Sequence, residues 1–456
     1  MFLADNGRTL EEIVTGLNQN NLALREENTK LVKEIYELSM KIKELEYKLN
    51  INSSNSSLPS SKDIYRIEKH SRPKSGKKPG GQVGHKYSGY ERREASEVIE
   101  VLPDEEVCRC GGTLELHEEY TTHQKIDIPT IKPFVTQYHL REKTCISCKK
   151  KYKGKLKEYK LLGSNAEAII GNLGGYFNNS KRELQQMLSQ IFNLDLSLGL
   201  ISATEGRIAS KLEDKYTHIL NVAQGSSYLH FDETGASNKG ARHWCFVAAN
   251  KTVSVFKIAA SRGMKSLESF MPDYAGKVIS DRYAIYNIFD ESKRQICLAH
   301  LRRDFKRFYH SNHKDLSIIG HTLLLTIDDV FDLHKLSTSN QIEKSRYLSL
   351  MHKIENNMLF YLLEISNMHE CLQAKRVASN ILKSFNMMWR FAQDDELEPT
   401  NNHAERQIKH YVKYRKNSYH TWSYRGQRFI ERIKSLFATS KLQSLNPYQE
   451  LLSLLK

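Results

Sequence analysis

No stretch of this chain reaches the roughly eighteen consecutive apolar residues that a membrane-spanning helix needs. The nearest, Leu316 to Ile327, is broken by His321 and Thr322. The opening residues, MFLADNGRTLEEI, carry neither the basic flank nor the apolar core of a secretory signal. Cysteine is sparse and odd in number, seven in 456 residues. That argues against a disulfide framework and for free thiols or metal ligands in a reducing cytosol. These absences lead to the expectation of a cytoplasmic protein with no membrane partner. Acidic residues are also in short supply: 53 Asp and Glu against 68 Lys and Arg leave a net charge of +15. A clustered surplus of that size favours a polyanionic partner, nucleic acid first. With 39% hydrophobic residues the chain is long enough to bury a sizeable core, and its length allows roughly three domains.

The N-terminal stretch carries heptads. Leu17, Leu24, Leu31, Leu38 and Leu45 recur every seven residues, and Asn21, Asn28, Ile35, Ile42 and Leu49 fill the other seam position. Ile at a with Leu at d favours a parallel two-stranded coil, and Asn at a fixes register. The Ser- and Asn-rich run NSSNSSLPSS follows as a flexible linker. Lys62, Arg66, Lys69, Arg72, Lys74, Lys77, Lys78 and Lys86 then stand against only Asp63 and Glu68. Such a basic, glycine-rich segment suits either an arm that follows phosphates or a solvated tail. Next come short alternating segments with Cys108 and Cys110, then Cys145 and Cys148. Two close pairs of this kind resemble a zinc ribbon, although C-x-C is one residue shorter than the usual knuckle. His117, His123 and His139 are substitutes should one cysteine not ligate. Arg182 to Phe192 and the run from Ile201 read as helices around the break NLDLSLG. That pattern fits a helix-turn-helix or a generic helical hairpin.

Three acidic residues sit where polynucleotide chemistry would need them: Asp232 in HFDETG, Asp281 in VISDRYAIY and Glu405 in NNHAERQIK. Phosphodiester chemistry with divalent metals requires about three carboxylates around ions roughly 3.5–4 Å apart. SYLHFDETG, HWCFVAAN and TVSVFKIAAS read as three successive antiparallel strands. A helix at Ser266 to Met271, a buried strand ending at Asp281, and RQICLAHLRRDFKRF as strand into basic helix complete a ribonuclease-H-like order. In that order Asp232 and Asp281 lie side by side. Residues 311 to about 396 read as a helical insertion without a zinc or phosphate-loop motif. From Asn401 to Lys434 nine Lys and Arg stand against Glu405 and Glu431. A lone Glu there is a salt-bridged surface residue or a metal ligand beside a DNA path. Cys297 and His300 form C-x-x-H, but two ligands alone do not make a zinc site, so His300 reads as a core histidine.

These motifs, together with KKPGGQVGHK, CLAHLRRDF, RKNSYHTWSYRG and NPYQELL, occur in an order that resembles transposases of the insertion-sequence-sixty-six family, in the large DDE class. Thr400 and Leu298 stand where that family usually has an acidic residue and a Trp. The resemblance implies a multidomain α+β chain. Its parts are a leucine-zipper coiled coil (1–51), a basic flexible linker (52–95), a zinc-ribbon-like module (96–160), a helical region (161–225), and a ribonuclease-H-like core (226–310 and 399–456) split by a helical insertion (311–398). It implies Asp232, Asp281 and Glu405 as the DDE triad on Mg²⁺ or Mn²⁺, with Zn²⁺ on Cys108, Cys110, Cys145 and Cys148. Asp232 would bridge both ions. Expected DNA-binding positions are Lys77, Lys78, His85, Arg302, Arg303, Arg406, Lys409, Arg415, Lys416 and Arg425. Expected partners are the element's terminal inverted repeats, target DNA, a second copy or more of the chain, and small accessory proteins, in a nucleoid-associated setting. The competing expectation is a zinc-containing DNA-binding relic that has lost catalysis.

Overall fold

The structure, a computed structural model, describes residues 15, 24–35, 37–39, 41–42, 45, 84 and 91–456. The basic segment with Lys77, Lys78 and His85, and the heptad positions Leu17, Asn21 and Leu49, lie outside the described residues. Residues 24–35, 37–39 and 41–42 are helical. Their seam residues Leu24, Leu31, Ile35, Leu38 and Ile42 are exposed, as is Leu45. Among the described residues no helix is long and apolar enough to cross a membrane.

The chain divides into two compact units, one of Met1–Ile67, Leu140–Gln186 and Leu196–Lys456, the other of Glu68–His139 and Met187–Asp195. In the smaller unit the described backbone from 91 to 139 forms no helix or strand and is almost all exposed, with one isolated bridge, Val107↔Thr113, closing a turn at Cys108–Gly112. Gly111 has φ 87 there, a left-handed conformation that glycine adopts without strain. The alternating segments expected over 96–160 therefore yield only a short hairpin in the larger unit, β1 (Glu142–Thr144) and β2 (Lys151–Lys153). Val98, Val101, Phe134 and Val135 remain exposed.

The larger unit is mixed α+β. Four helices lead in: α1 (Ser164–Gly171), α2 (Lys181–Phe192, whose last turns belong to the smaller unit), α3 (Leu198–Lys211) and α4 (Glu213–Gln224). A five-stranded sheet follows, built from β3 (Tyr228–Asn238), β4 (Ala241–Ala249), β5 (Ser254–Ala259), β6 (Lys277–Ser280) and β7 (Arg294–Ile296), with α5 (Met264–Phe270) between β5 and β6. Its order is β5-β4-β3-β6-β7. β3, β4 and β5 pair antiparallel, whereas β6 and β7 run parallel to β3. Beyond β7 come α6 (Leu298–Tyr309), α7 (Lys314–Thr338), α8 (Lys344–Asn367), α9 (Leu372–Leu382), α10 (Arg390–Gln393), α11 (Asn402–Ser418), α12 (Tyr424–Leu442) and α13 (Pro447–Leu455).

Strand side chains alternate in direction, and both faces of the sheet are covered. Leu229, Phe231, Phe246, Ala248 and Val255 pack with α4, α5 and Tyr286. Ala236, Cys245, Val247, Phe256 and Ile258 pack against α11, α12 and α13. Asp232 has the parity of Ala236, so it faces the α11 side. A third core joins Ile279 and Ile296 to α6–α10. In α6 the buried set is Leu298, Leu301, Phe305 and Phe308, one helical stripe.

The sheet edge is closed by α12. Thr439 Oγ1 accepts from Ser254 N–H at 3.1 Å, Ser435 Oγ from Phe256 N–H at 2.9 Å, and Glu431 Oε1 from Ile258 N–H at 2.7 Å. Gln427 donates to Ile258 O at 2.8 Å. Four residues of helix rise about 6 Å and two residues of strand about 6.7 Å, so every fourth helical residue meets every second strand residue. An edge that would otherwise offer itself for pairing is thereby occupied. Ser435→Ala leaves the buried Phe256 N–H without its acceptor. It is expected to lower unfolding free energy by about 1–3 kcal/mol, read as a lower urea midpoint at constant slope; an unchanged midpoint contradicts this role for the helix.

Candidate active site

The site is set first by backbone register. Tyr228 pairs with Lys277, Leu229 with Val278 and His230 with Ile279, an offset of 49 residues. Asp232 and Asp281 are also 49 apart, so the same register carried two residues further brings them abreast on neighbouring strands, whose spacing is about 4.8 Å. β6 stops at Ser280, and Asp281 begins the turn after it. The place is the carboxyl end of the parallel strands, where β3 has an antiparallel neighbour on one side and a parallel one on the other. Open sheets bind ligands at such points.

Local bonds hold the first two acids. Asp232 Oδ1 accepts from Glu233 N–H at 2.9 Å, and Asp281 Oδ1 from Tyr283 N–H at 2.9 Å. Arg294, fully buried on β7, donates to Ser280 Oγ at 3.1 Å, Asp281 O at 2.8 Å and Asn287 Oδ1 at 2.7 Å. Its guanidinium thus fixes the backbone on both sides of the turn.

Glu405 arrives on the first turn of α11, and Asn401 at the N-cap positions that helix. Asn401 is buried. Its N–H donates to Cys297 Sγ at 3.1 Å, its Nδ2 to Phe231 O at 2.6 Å, and its Oδ1 faces His230 Nδ1 at 3.2 Å. One side chain therefore ties the start of α11 to the residue before Asp232. Burial pushes the half-buried Asp232 carboxyl well above the usual range, and the charges of Glu233, Asp281 and Glu405 push it the same way. His300 is lowered by burial and by Arg303, while Asp281 and Glu405 oppose that shift. Asp281 and Glu405 thus both act electrostatically on Asp232 and on His300.

Glu233, next to Asp232, is neutralised from its own side. Arg262 Nε donates to Glu233 Oε1 at 3.0 Å, and Tyr286 Oη donates to Oε2. Arg262 lies between Tyr283 and Trp244, at 3.6 and 4.6 Å from the ring centroids. No lysine or arginine pairs with Asp232 or Asp281 among the described residues. Sequence reasoning passed over Asn401, Arg294 and Glu233 as active-site supports. The one visible signal was an Asn in the N-cap position before a helix.

The cationic positions separate by environment. Arg406, Lys409 and Lys416 are exposed on α11, and Lys413, absent from the expected set, continues their stripe at helical spacing. Arg302 is exposed and paired with Asp328 at 2.9 Å; Arg303 is half-buried. Arg425 is exposed and donates to Ser202 Oγ at 3.4 Å. Arg415 binds Thr234 Oγ1 at 2.9 Å and Gly235 O, so its head belongs to β3. Arg432 and Lys434 are buried inside the unit: Arg432 donates to Ala209 O at 2.6 Å, and Lys434 to Asn178 Oδ1. The positive charge of 401–434 is thus only in part a surface property. Of the expected zinc cysteines, Cys108 and Cys110 belong to the smaller unit, with their sulfurs 3.3 Å apart. Cys145 and Cys148 belong to the larger one. Backbone N–H groups, from Gly112 and Cys148 respectively, hold the Cys110 and Cys145 thiols below the usual range.

Asn401→Ala removes its two side-chain bonds, to Phe231 O and His230 Nδ1, and leaves buried groups unpaired. It is expected to lower stability by about 1–3 kcal/mol, measured by denaturant unfolding at fixed pH; wild-type stability contradicts its role in holding α11.

Residues 181–428, more than half of the chain, match the family described as Transposase IS66 family. Residues 15–91 match a family of unknown function (DUF6444). No curated protein matches the chain. The span that matches the first family includes β3–β7, Asp232, Asp281, Asn401 and Glu405, and the chain belongs to the Transposase IS66 family.

Proposed function

We propose that this protein cuts the ends of a bacterial insertion sequence and joins them to target DNA, with Asp232, Asp281 and Glu405 as the acid triad of a ribonuclease-H-like core. The observation that carries this reading is the β3–β6 register, whose 49-residue offset is that of Asp232 and Asp281; burial, Glu233 and the charges of Asp281 and Glu405 all push the Asp232 carboxyl up. Sheet order β5-β4-β3-β6-β7 with a helical segment between β7 and α11 supports the same reading.

The donor set fits a hard divalent cation: oxygen ligands, mutual repulsion, and no lysine or arginine neutralising Asp232 or Asp281 among the described residues. Magnesium or manganese held there would supply Lewis-acid activation of the attacking water or 3′-hydroxyl and of the leaving oxygen. The protein's own part is positioning. Arg294 and Asn401 fix the three carbon frames, and the Glu233–Arg262 pair keeps a second carboxylate out of competition. The exposed stripe Arg406, Lys409, Lys413 and Lys416 runs on from Glu405 along one helix and suits a phosphate backbone led toward it. The two cysteine pairs are read as zinc thiols on their C-x-C and C-x-x-C spacing.

Two measurements test this reading. Strand transfer from DNA carrying the element's terminal inverted repeats into a plasmid should require Mg²⁺ or Mn²⁺. Asp232→Asn, Asp281→Asn and Glu405→Gln should each lower it by at least about 100-fold while DNA binding persists. DNA binding without any joining by the wild type would instead favour a relic that has lost catalysis. The exposed heptad leucines support assembly through residues 1–51. A chain lacking them should run as a smaller species in light scattering, and an unchanged mass would refute that assembly.

A further inference from the structure

Beside the three acids stands a donor set of a different chemical kind. Cys297 Sγ, a His300 ring nitrogen and a Glu405 carboxylate oxygen lie within 4.8 Å of one another, the one such group of His, Cys, Asp and Glu among the described residues. His300 Nδ1 is buried and makes no hydrogen bond, standing 3.9 Å from Glu405 Oε1, too far for one. Two ligands of one tetrahedral zinc are roughly 3.3–3.7 Å apart, so no pair here has to close by more than about 1.5 Å. Cys297 caps the start of α6, and Asn401 N–H donates to its sulfur at 3.1 Å; burial holds the free thiol up at about 11, so an ion bound there would displace its proton.

We infer that Cys297, His300 and Glu405 form a separate site for a borderline-soft divalent cation of the zinc class, which ties the start of α6 to the first turn of α11. A thiolate and an imidazole select such an ion over magnesium. Three protein ligands leave a fourth position for water. Glu405 has two carboxylate oxygens, so Oε1 can serve this ion while Oε2 remains available to another. Loading the site would restrain the Glu405 carboxylate.

The inference does not rest on strand transfer, and its test does not read activity. The full-length protein is loaded with Zn²⁺, dialysed against metal-free buffer, and its metal counted per chain by mass spectrometry. Cys297→Ser and His300→Gln are each expected to lose one equivalent relative to wild type, whatever number the other cysteines hold. Cobalt-loaded wild type minus Cys297→Ser should show a thiolate-to-cobalt absorption band. A metal count unchanged from wild type in either folded variant overturns the site. Should Cys297→Ser fail to fold, the half-buried His300→Gln decides alone, by the same loss or its absence.

Discussion

The parallel pairing of β3 with β6 is the constraint on which the rest of this molecule depends. Two strands separated by α5 and two other strands share one offset, and that offset is also the distance between Asp232 and Asp281 in the chain. A slip of one residue would turn Asp232 from the face that α11 covers to the face packed with Phe231 and Leu229. The hydrophobic alternation of β3 opposes the slip, since it would take Phe231 out of its apolar cluster and bury the carboxylate among α4, α5 and Tyr286. Apolar packing thereby positions a polar site.

Beside the apolar cores, several elements are tied to that sheet by polar side chains. α12 closes the β5 edge with Gln427, Glu431, Ser435 and Thr439; Arg294 fixes the turn after β6; Asn401 joins α11 to β3. Buried groups of this kind are costly when unpaired and specific when paired. They tie the first turn of α11, which carries Glu405, to the strand that carries Asp232, and Arg262 pairs with Glu233, one residue from Asp232.

Much of this framework was legible in the sequence. The runs around HFDETG, HWCFVAAN and TVSVFKIAAS appear as β3, β4 and β5, and the leucine-rich stretch after Tyr309 appears as α7 to α10, because period-two and period-3.6 patterns report burial directly. What escaped was long-range pairing. Asn401 meets Phe231 across 170 residues and Cys297 across 104, separations that no local pattern encodes. Nor does a count of basic residues reveal that Arg415, Arg432 and Lys434 turn inward while Arg406, Lys409, Lys413 and Lys416 face solvent. His300 read as a core histidine. The structure sets its unpaired nitrogen beside Glu405. The alternation over 96–160 suggested strands, yet the only strands there are β1 and β2.

The central claim is that Asp232, Asp281 and Glu405 serve one pair of ions. Anomalous diffraction from manganese-loaded protein bound to DNA addresses it most directly. The account predicts two manganese peaks about 3.5–4 Å apart, with Asp232 touching both and Asp281 and Glu405 each completing one. Manganese bound elsewhere, or a pair of ions that leaves any of the three carboxylates without contact, would contradict it.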